Sequence, residues 1–140
     1  MKPFTFNTSP SIRFGPGVIQ TLGDVAKEKL GERILVVTDP GMVATGIVDK
    51  AVRALEGAGL AVTLFTKVEA DPPEPIVLES AEAAKTAGAT GVVGLGGGSS
   101  LDVAKLAALL AGGQEELKGA YGVGNARGPR LPLVLVPTTS

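Results

Sequence analysis

The chain has 140 residues, a formal net charge of −1 from 13 basic and 14 acidic side chains, and neither histidine nor cysteine. That length suits one domain, and the charge balance, with no lysine or arginine run, argues against nucleic acid or an anionic membrane as the main partner. The missing cysteines exclude disulfides, thiolate metal sites and thiol catalysis, and the missing histidines remove the commonest general base and metal ligand.

Hydrophobic residues make up 44% of the chain and aromatics 4%, so the core must come from Val, Leu, Ile and Ala. The opening Met1-Lys2-Pro3-Phe4-Thr5-Phe6-Asn7 lacks a signal-peptide apolar run, and no stretch approaches the roughly 20 apolar residues of a membrane span. The expected location is the cytoplasm.

In chain order, Phe4–Asn7 and Ser11–Phe14 alternate in polarity around Ser9-Pro10, which predicts a small β-hairpin closed by Gly15-Pro16-Gly17. Val18, Leu22, Val25, Ala26 and Lys29 fall at helical spacing, with Gly31 as the stop. Arg33–Thr38 is a short, β-branched apolar run, as expected of a strand buried on both faces. Asp39-Pro40-Gly41 breaks it. A helix is expected from Val43 to Ala58 and a strand from Leu60 to Phe65.

Prolines 72, 73 and 75 make 69–75 an irregular acidic loop, and Pro75 suits the start of a helix to Ala87. The acids Glu69, Asp71 and Glu74 read as solvated surface, without chemistry. Thr90–Leu95 is the next strand. A glycine turn follows, then a helix over Leu101–Ala111. Residues 114–130 read as a long glycine-rich loop, in which Tyr121 anchors the loop or covers a base. Leu131–Val136 is the last strand.

This alternation predicts an α/β fold: a Rossmann-like parallel sheet with helices on both faces, preceded by the small N-terminal hairpin, as one domain over 1–140. Ligands in such sheets bind beyond the carboxyl ends of the strands. The rule selects Thr38-Asp39, Phe65-Thr66, Gly96-Gly97-Gly98-Ser99 and Pro137-Thr138-Thr139.

The glycine turn is the organising stretch. Bare backbone admits close approach, and a helix start favours an anion such as phosphate. It departs from the usual dinucleotide fingerprint, because Ser99 stands where the third glycine belongs, and no P-loop lysine is present. With Ser99 as N-cap, Asp102 either completes a Ser-x-x-Asp capping pattern or faces the ligand. Asp39 is either an Asp-Pro-Gly turn former or an acceptor for ribose hydroxyls, which would favour NAD over NADP. Thr138 and Thr139 either bond phosphate or ribose or simply form a turn.

Several segments together are similar to the N-terminal domain of the iron-containing (group III) alcohol dehydrogenases. These are Phe4-Thr5-Phe6 through Ile12-Arg13-Phe14-Gly15-Pro16-Gly17, Val36-Val37-Thr38-Asp39-Pro40-Gly41, Gly96-Gly97-Gly98-Ser99-Ser100-Leu101-Asp102-Val103-Ala104-Lys105 and Pro137-Thr138-Thr139. The third segment matches the Gly-Gly-Gly-Ser-x-x-Asp-x-x-Lys signature. The resemblance implies a dehydroquinate synthase-like N-terminal fold and NAD(P)-dependent interconversion of small alcohols with aldehydes or ketones. It implies Asp39 near the adenosine ribose, Gly96, Gly97, Gly98 and Ser99 around the pyrophosphate, Thr138 and Thr139 lining the cofactor, and Asp102 toward the nicotinamide.

Family members carry iron or zinc on a second, helical domain, whose histidine ligands have no counterpart in this histidine-free chain. The expectation is therefore the cofactor-binding half of such an enzyme, holding NAD(H) with little activity of its own and no metal, and self-associating through bare apolar surface. Two alternatives stand beside it. One is a residual, metal-free oxidoreductase acting on small aldehydes. The other is a related glycerol dehydrogenase or dehydroquinate synthase type of domain.

Overall fold

The computed structural model describes residues 11–13, 19, 21–69, 73–113 and 130–138. Five strands form one sheet: β1 (Ser11–Arg13), β2 (Arg33–Val37), β3 (Ala61–Phe65), β4 (Gly91–Gly96) and β5 (Leu133–Pro137). Their spatial order is β1-β5-β4-β2-β3, and every pairing is parallel. The helices are α1 (Leu22–Lys29), α2 (Pro40–Thr45), α3 (Ile47–Gly57), α4 (Glu74–Ala87) and α5 (Gly98–Gly113). No helix among the described residues is long and apolar enough to cross a membrane.

The predicted α/β fold with helices on both faces is present. Side chains along a strand alternate between faces. Leu35, Val37, Val92, Leu133 and Leu135 pack with Val77, Ala81 and Ala84 of α4 and with Val103, Ala104 and Ala107 of α5. Ile34, Val36, Val93, Leu95, Val134 and Val136 pack on the opposite face with Leu22 and Ala26 of α1 and with Val48, Ala51 and Leu55 of α3. The central strands are thus apolar on both sides, which is why they read as unbroken hydrophobic runs. Burying each large aliphatic side chain contributes about 1.5–3 kcal/mol.

Several elements differ from the sequence expectation. The helix expected from Val43 to Ala58 is two helices, parted at Gly46, which takes φ 86°. The first of them starts earlier, at Pro40, because Asp39 caps it. Ser11–Arg13, expected as the returning arm of a hairpin, is an edge strand of the main sheet, parallel to β5. The Phe4–Asn7 arm, and the 114–129 segment with Tyr121, lie outside the described residues.

Gly94 lets α5 sit against the sheet. A Cβ there would lie 2.6 Å from the Ala104 Cβ and 3.2 Å from Leu135 Cδ2. The strand that carries the glycine turn and the helix that leaves it are pressed together at this point, so the turn is held rigidly. Gly94→Ala is expected to cost about 2 kcal/mol through overpacking. Ala104→Gly, which alone costs about 1 kcal/mol of helix propensity, is expected to cost less in the Gly94→Ala background than in the parent chain. Urea denaturation of the two single variants and the double variant measures this coupling; strictly additive losses would show that the two positions do not press on each other.

Candidate functional site

The chain leaves β2 toward β3 on one side and returns to β4 on the other. The connections after β2 and β4 therefore part in opposite directions, and a crevice opens beyond the carboxyl ends of these two strands. Such a reversal of strand order is where open parallel sheets bind ligands. Asp39 follows β2 and the glycine turn follows β4, so the topology brings together two segments far apart in sequence.

The crevice floor is cross-linked. The buried Thr38 donates its Oγ1–H to the Leu95 carbonyl at 2.8 Å, and its N–H bonds the Phe65 carbonyl at 2.9 Å. The Thr138 N–H bonds the Gly96 carbonyl at 3.0 Å. The ends of β2, β3, β4 and β5 are thereby fixed relative to one another.

Asp39 is half-buried above this floor. Its Oδ1 accepts the Met42 N–H at 2.9 Å, capping α2, and its Oδ2 accepts the Ser100 hydroxyl at 3.0 Å. The two readings of Asp39 thus coexist: it is the cap of an Asp-Pro-Gly helix start, and it also faces the crevice. Each carboxylate oxygen has a second lone pair for a further donor.

Gly96 has φ 135°, and a Cβ there would lie 3.1 Å from Met42 Cγ, 3.2 Å from Asp39 Oδ2 and 3.3 Å from Ser100 Cβ. Gly96 therefore supports the site from behind. Gly97 and Gly98 are exposed, and a Cβ on either would meet nothing within 4 Å. Gly97 occupies the N-cap position of α5, and the first intrahelical bond runs from the Leu101 N–H to the Gly97 carbonyl at 3.1 Å. The N–H groups of Gly98, Ser99 and Ser100 precede that bond and have no carbonyl one turn back to meet.

Two clefts share this centre. One, of about 510 Å³, is lined by Asp39, Pro40, Lys67, Val68, Glu69 and Gly97 to Ser100. The other, of about 400 Å³, is lined by Asp39, Gly41, Met42, Thr45, Ile47, Gly97 and Thr138. Asp39 and Gly97 border both, so the clefts form the two sides of one crevice. The Thr138 hydroxyl lies 3.3 Å from Met42 Sδ on the second side.

The structure thus brings together Asp39, Gly96, Gly97, Gly98, Ser99 and Thr138. It does not bring Asp102 to either cleft. Asp102 is exposed on α5 and pairs with Lys105 at 3.9 Å. The capping pattern expected of Ser99 and Asp102 is not the start of this helix either, because α5 begins at Gly98 and Ser99 lies inside its first turn. Thr139 lies outside the described residues.

Sequence reasoning missed Ser100 as a partner of Asp39, and it missed Lys67, Val68 and Glu69 as lining. The signal for the latter was available: they follow β3, one residue beyond the Thr66 that the strand-end rule selected. Lys67 is paired with Glu79 of α4.

The chain is similar to a family of known proteins. Residues 9–140 match the family described as iron-containing alcohol dehydrogenase. The chain is 35% identical over 139 residues to the choline dehydrogenase of Bacillus subtilis (strain 168), covering 97% of this chain and 35% of that protein. It is 41% identical over 118 residues to the 4-hydroxybutyrate dehydrogenase of Cupriavidus necator, covering 81% of this chain and 30% of that protein. The solved NADH-dependent butanol dehydrogenase A of Thermotoga maritima superposes with a TM-score of 0.81 at 29% identity, covering all of this chain and 35% of that one.

The chain thus spans about a third of the length of these relatives. With the family matched over nearly the whole sequence and its fold reproduced, the chain belongs to the iron-containing alcohol dehydrogenase family.

Proposed function

We propose that this chain is the nicotinamide-dinucleotide-binding part of an alcohol dehydrogenase, and that it holds NAD(H) in the crevice between β2 and β4. The observation that carries the reading is the meeting of Asp39 with the open Gly97-Gly98 backbone at the α5 N-terminus. The pyrophosphate lies against the free N–H groups of Gly98 and Ser99, where backbone donors and the helix dipole favour negative charge. Asp39 accepts from the adenosine ribose hydroxyls through its remaining lone pairs, and its charge repels a 2′-phosphate, which favours NAD over NADP. Thr138 lines the opposite side, and the role of Thr139 rests on the family resemblance alone.

The residues fit a dinucleotide: a crevice at the strand-order reversal, uncovered glycine backbone at a helix start, and one acid at the neighbouring strand end. When bound, the nicotinamide supplies or accepts the hydride, and the protein binds and orients it. The residues do not fit a metal centre. Among the described residues no three His, Cys, Asp or Glu side chains cluster, and the sequence holds no histidine. No step is assigned to a metal on these residues. Reduction of small aldehydes, or oxidation of the matching alcohols, is the reaction class of the whole enzyme.

Titrating the chain into NADH while following the nicotinamide fluorescence tests the reading; a saturable change is expected, and none up to millimolar protein would contradict it. Gly97→Val separates binding from folding. A Cβ there meets no protein atom within 4 Å, so the stability loss should come from replacing a favoured N-cap residue, about 1 kcal/mol, while NADH affinity should fall about tenfold or more because the branched side chain fills the approach to the phosphate.

A further expectation concerns Asp39→Gly. Glycine is a tolerated N-cap, costing only a few tenths of a kcal/mol, but the buried Ser100 hydroxyl loses its acceptor, so a stability loss of about 1–3 kcal/mol is expected. NADH should bind more weakly and the preference over NADPH should narrow; an unchanged preference, measured by calorimetry with both cofactors, would leave Asp39 a turn residue alone.

A further inference from the structure

The Ser100 hydroxyl reaches across the crevice rather than back to its own helix. Ser100 is only 1% exposed, and its Oγ donates to Asp39 Oδ2 at 3.0 Å. Serine hydroxyls in helices commonly bond the local backbone, so this choice of partner is informative. We propose that Ser100 is a positioning residue for cofactor discrimination, fixing the Asp39 carboxylate in the crevice and so setting the preference for NADH over NADPH. This inference rests on the reading of Asp39 as the ribose acceptor.

The Met42 N–H holds only Oδ1, at 2.9 Å. With that contact alone the carboxylate remains free to turn about the held oxygen. The second donor, on the other helix start, pins Oδ2 as well, and a hydrogen bond to a charged acceptor is among the stronger ones. A pinned carboxylate needs no ordering when the ribose arrives, which preserves affinity for NADH. It also cannot swing aside to relieve repulsion from a 2′-phosphate, so its charge counts fully against NADPH.

Gly96 makes the contact geometrically available, because a side chain there would press on both Asp39 Oδ2 and Ser100 Cβ. Ser100 itself need not touch the cofactor. Its effect passes through Asp39, and that is the property a double-mutant cycle detects.

The test measures NADH and NADPH dissociation constants and thermal midpoints for the parent chain, Ser100→Ala, Asp39→Asn and the double variant. Losing one charge-assisted hydrogen bond is expected to reduce the NADH-over-NADPH preference by about threefold to tenfold in Ser100→Ala. In the Asp39→Asn background, Ser100→Ala should leave that preference unchanged. Should the alanine variant fail to fold, Ser100→Cys fills the site with a slightly larger side chain and a weaker donor and gives the same readout.

A preference altered by Asp39→Asn but untouched by Ser100→Ala would overturn the role of Ser100 and leave Asp39 standing. Equal losses of both cofactors with a lowered midpoint, repeated in the Asp39→Asn background, would reduce Ser100 to a structural contact. A preference unmoved by Asp39→Asn would remove the ribose-acceptor reading, and this inference with it, while saturable NADH binding would still hold the cofactor assignment.

Discussion

One carboxylate holds two helix starts at the mouth of the crevice. Asp39 takes the Met42 N–H on one oxygen and the Ser100 hydroxyl on the other, at 2.9 and 3.0 Å. Those donors belong to α2 and α5, the helices that leave the two strands flanking the reversal of strand order. Without this link, each loop would be set only by its own strand. The link in turn requires that no side chain stand at Gly96, and that α5 lie close enough to β4 for Gly94 to meet Ala104. Three glycine roles follow from neighbouring positions: close packing at 94, a positive φ with a crowded rear face at 96, and open backbone at 97 and 98.

Much of this was legible in the sequence. Strands buried on both faces leave unbroken apolar runs, so β2, β4 and β5 announced themselves and the parallel sheet followed from the alternation with helices. Asp39 and the glycine turn were picked out because strand ends in such sheets are where ligands bind. The break at Gly46 was not legible, because a lone glycine is tolerated within a helical pattern and the period of Val48, Val52 and Leu55 begins only beyond it. The sequence pattern suggests a start for α5 three residues late, since consecutive glycines look like a turn even when Gly98 opens the helix. Ser100 was overlooked for a simpler reason: its partner is 61 residues away, and nothing local records that distance contact.

Asp102 teaches the opposite lesson. Motif resemblance placed it beside the cofactor, yet on this chain it is exposed and paired with Lys105 along the same helix. The same comparison limits what chemistry these residues carry. On the proposed reading they bind a dinucleotide, orient its ribose and meet its phosphates with backbone N–H donors. Among the described residues no three His, Cys, Asp or Glu side chains cluster as a metal site would require.

The most direct measurement is a two-dimensional amide NMR titration of the chain with NADH. The account predicts saturable shifts centred on the amides of Gly97, Gly98 and Ser99, with Met42 and Thr138 following as the two sides of the crevice respond. Saturable shifts that leave these glycine amides still and cluster elsewhere on the sheet would contradict it.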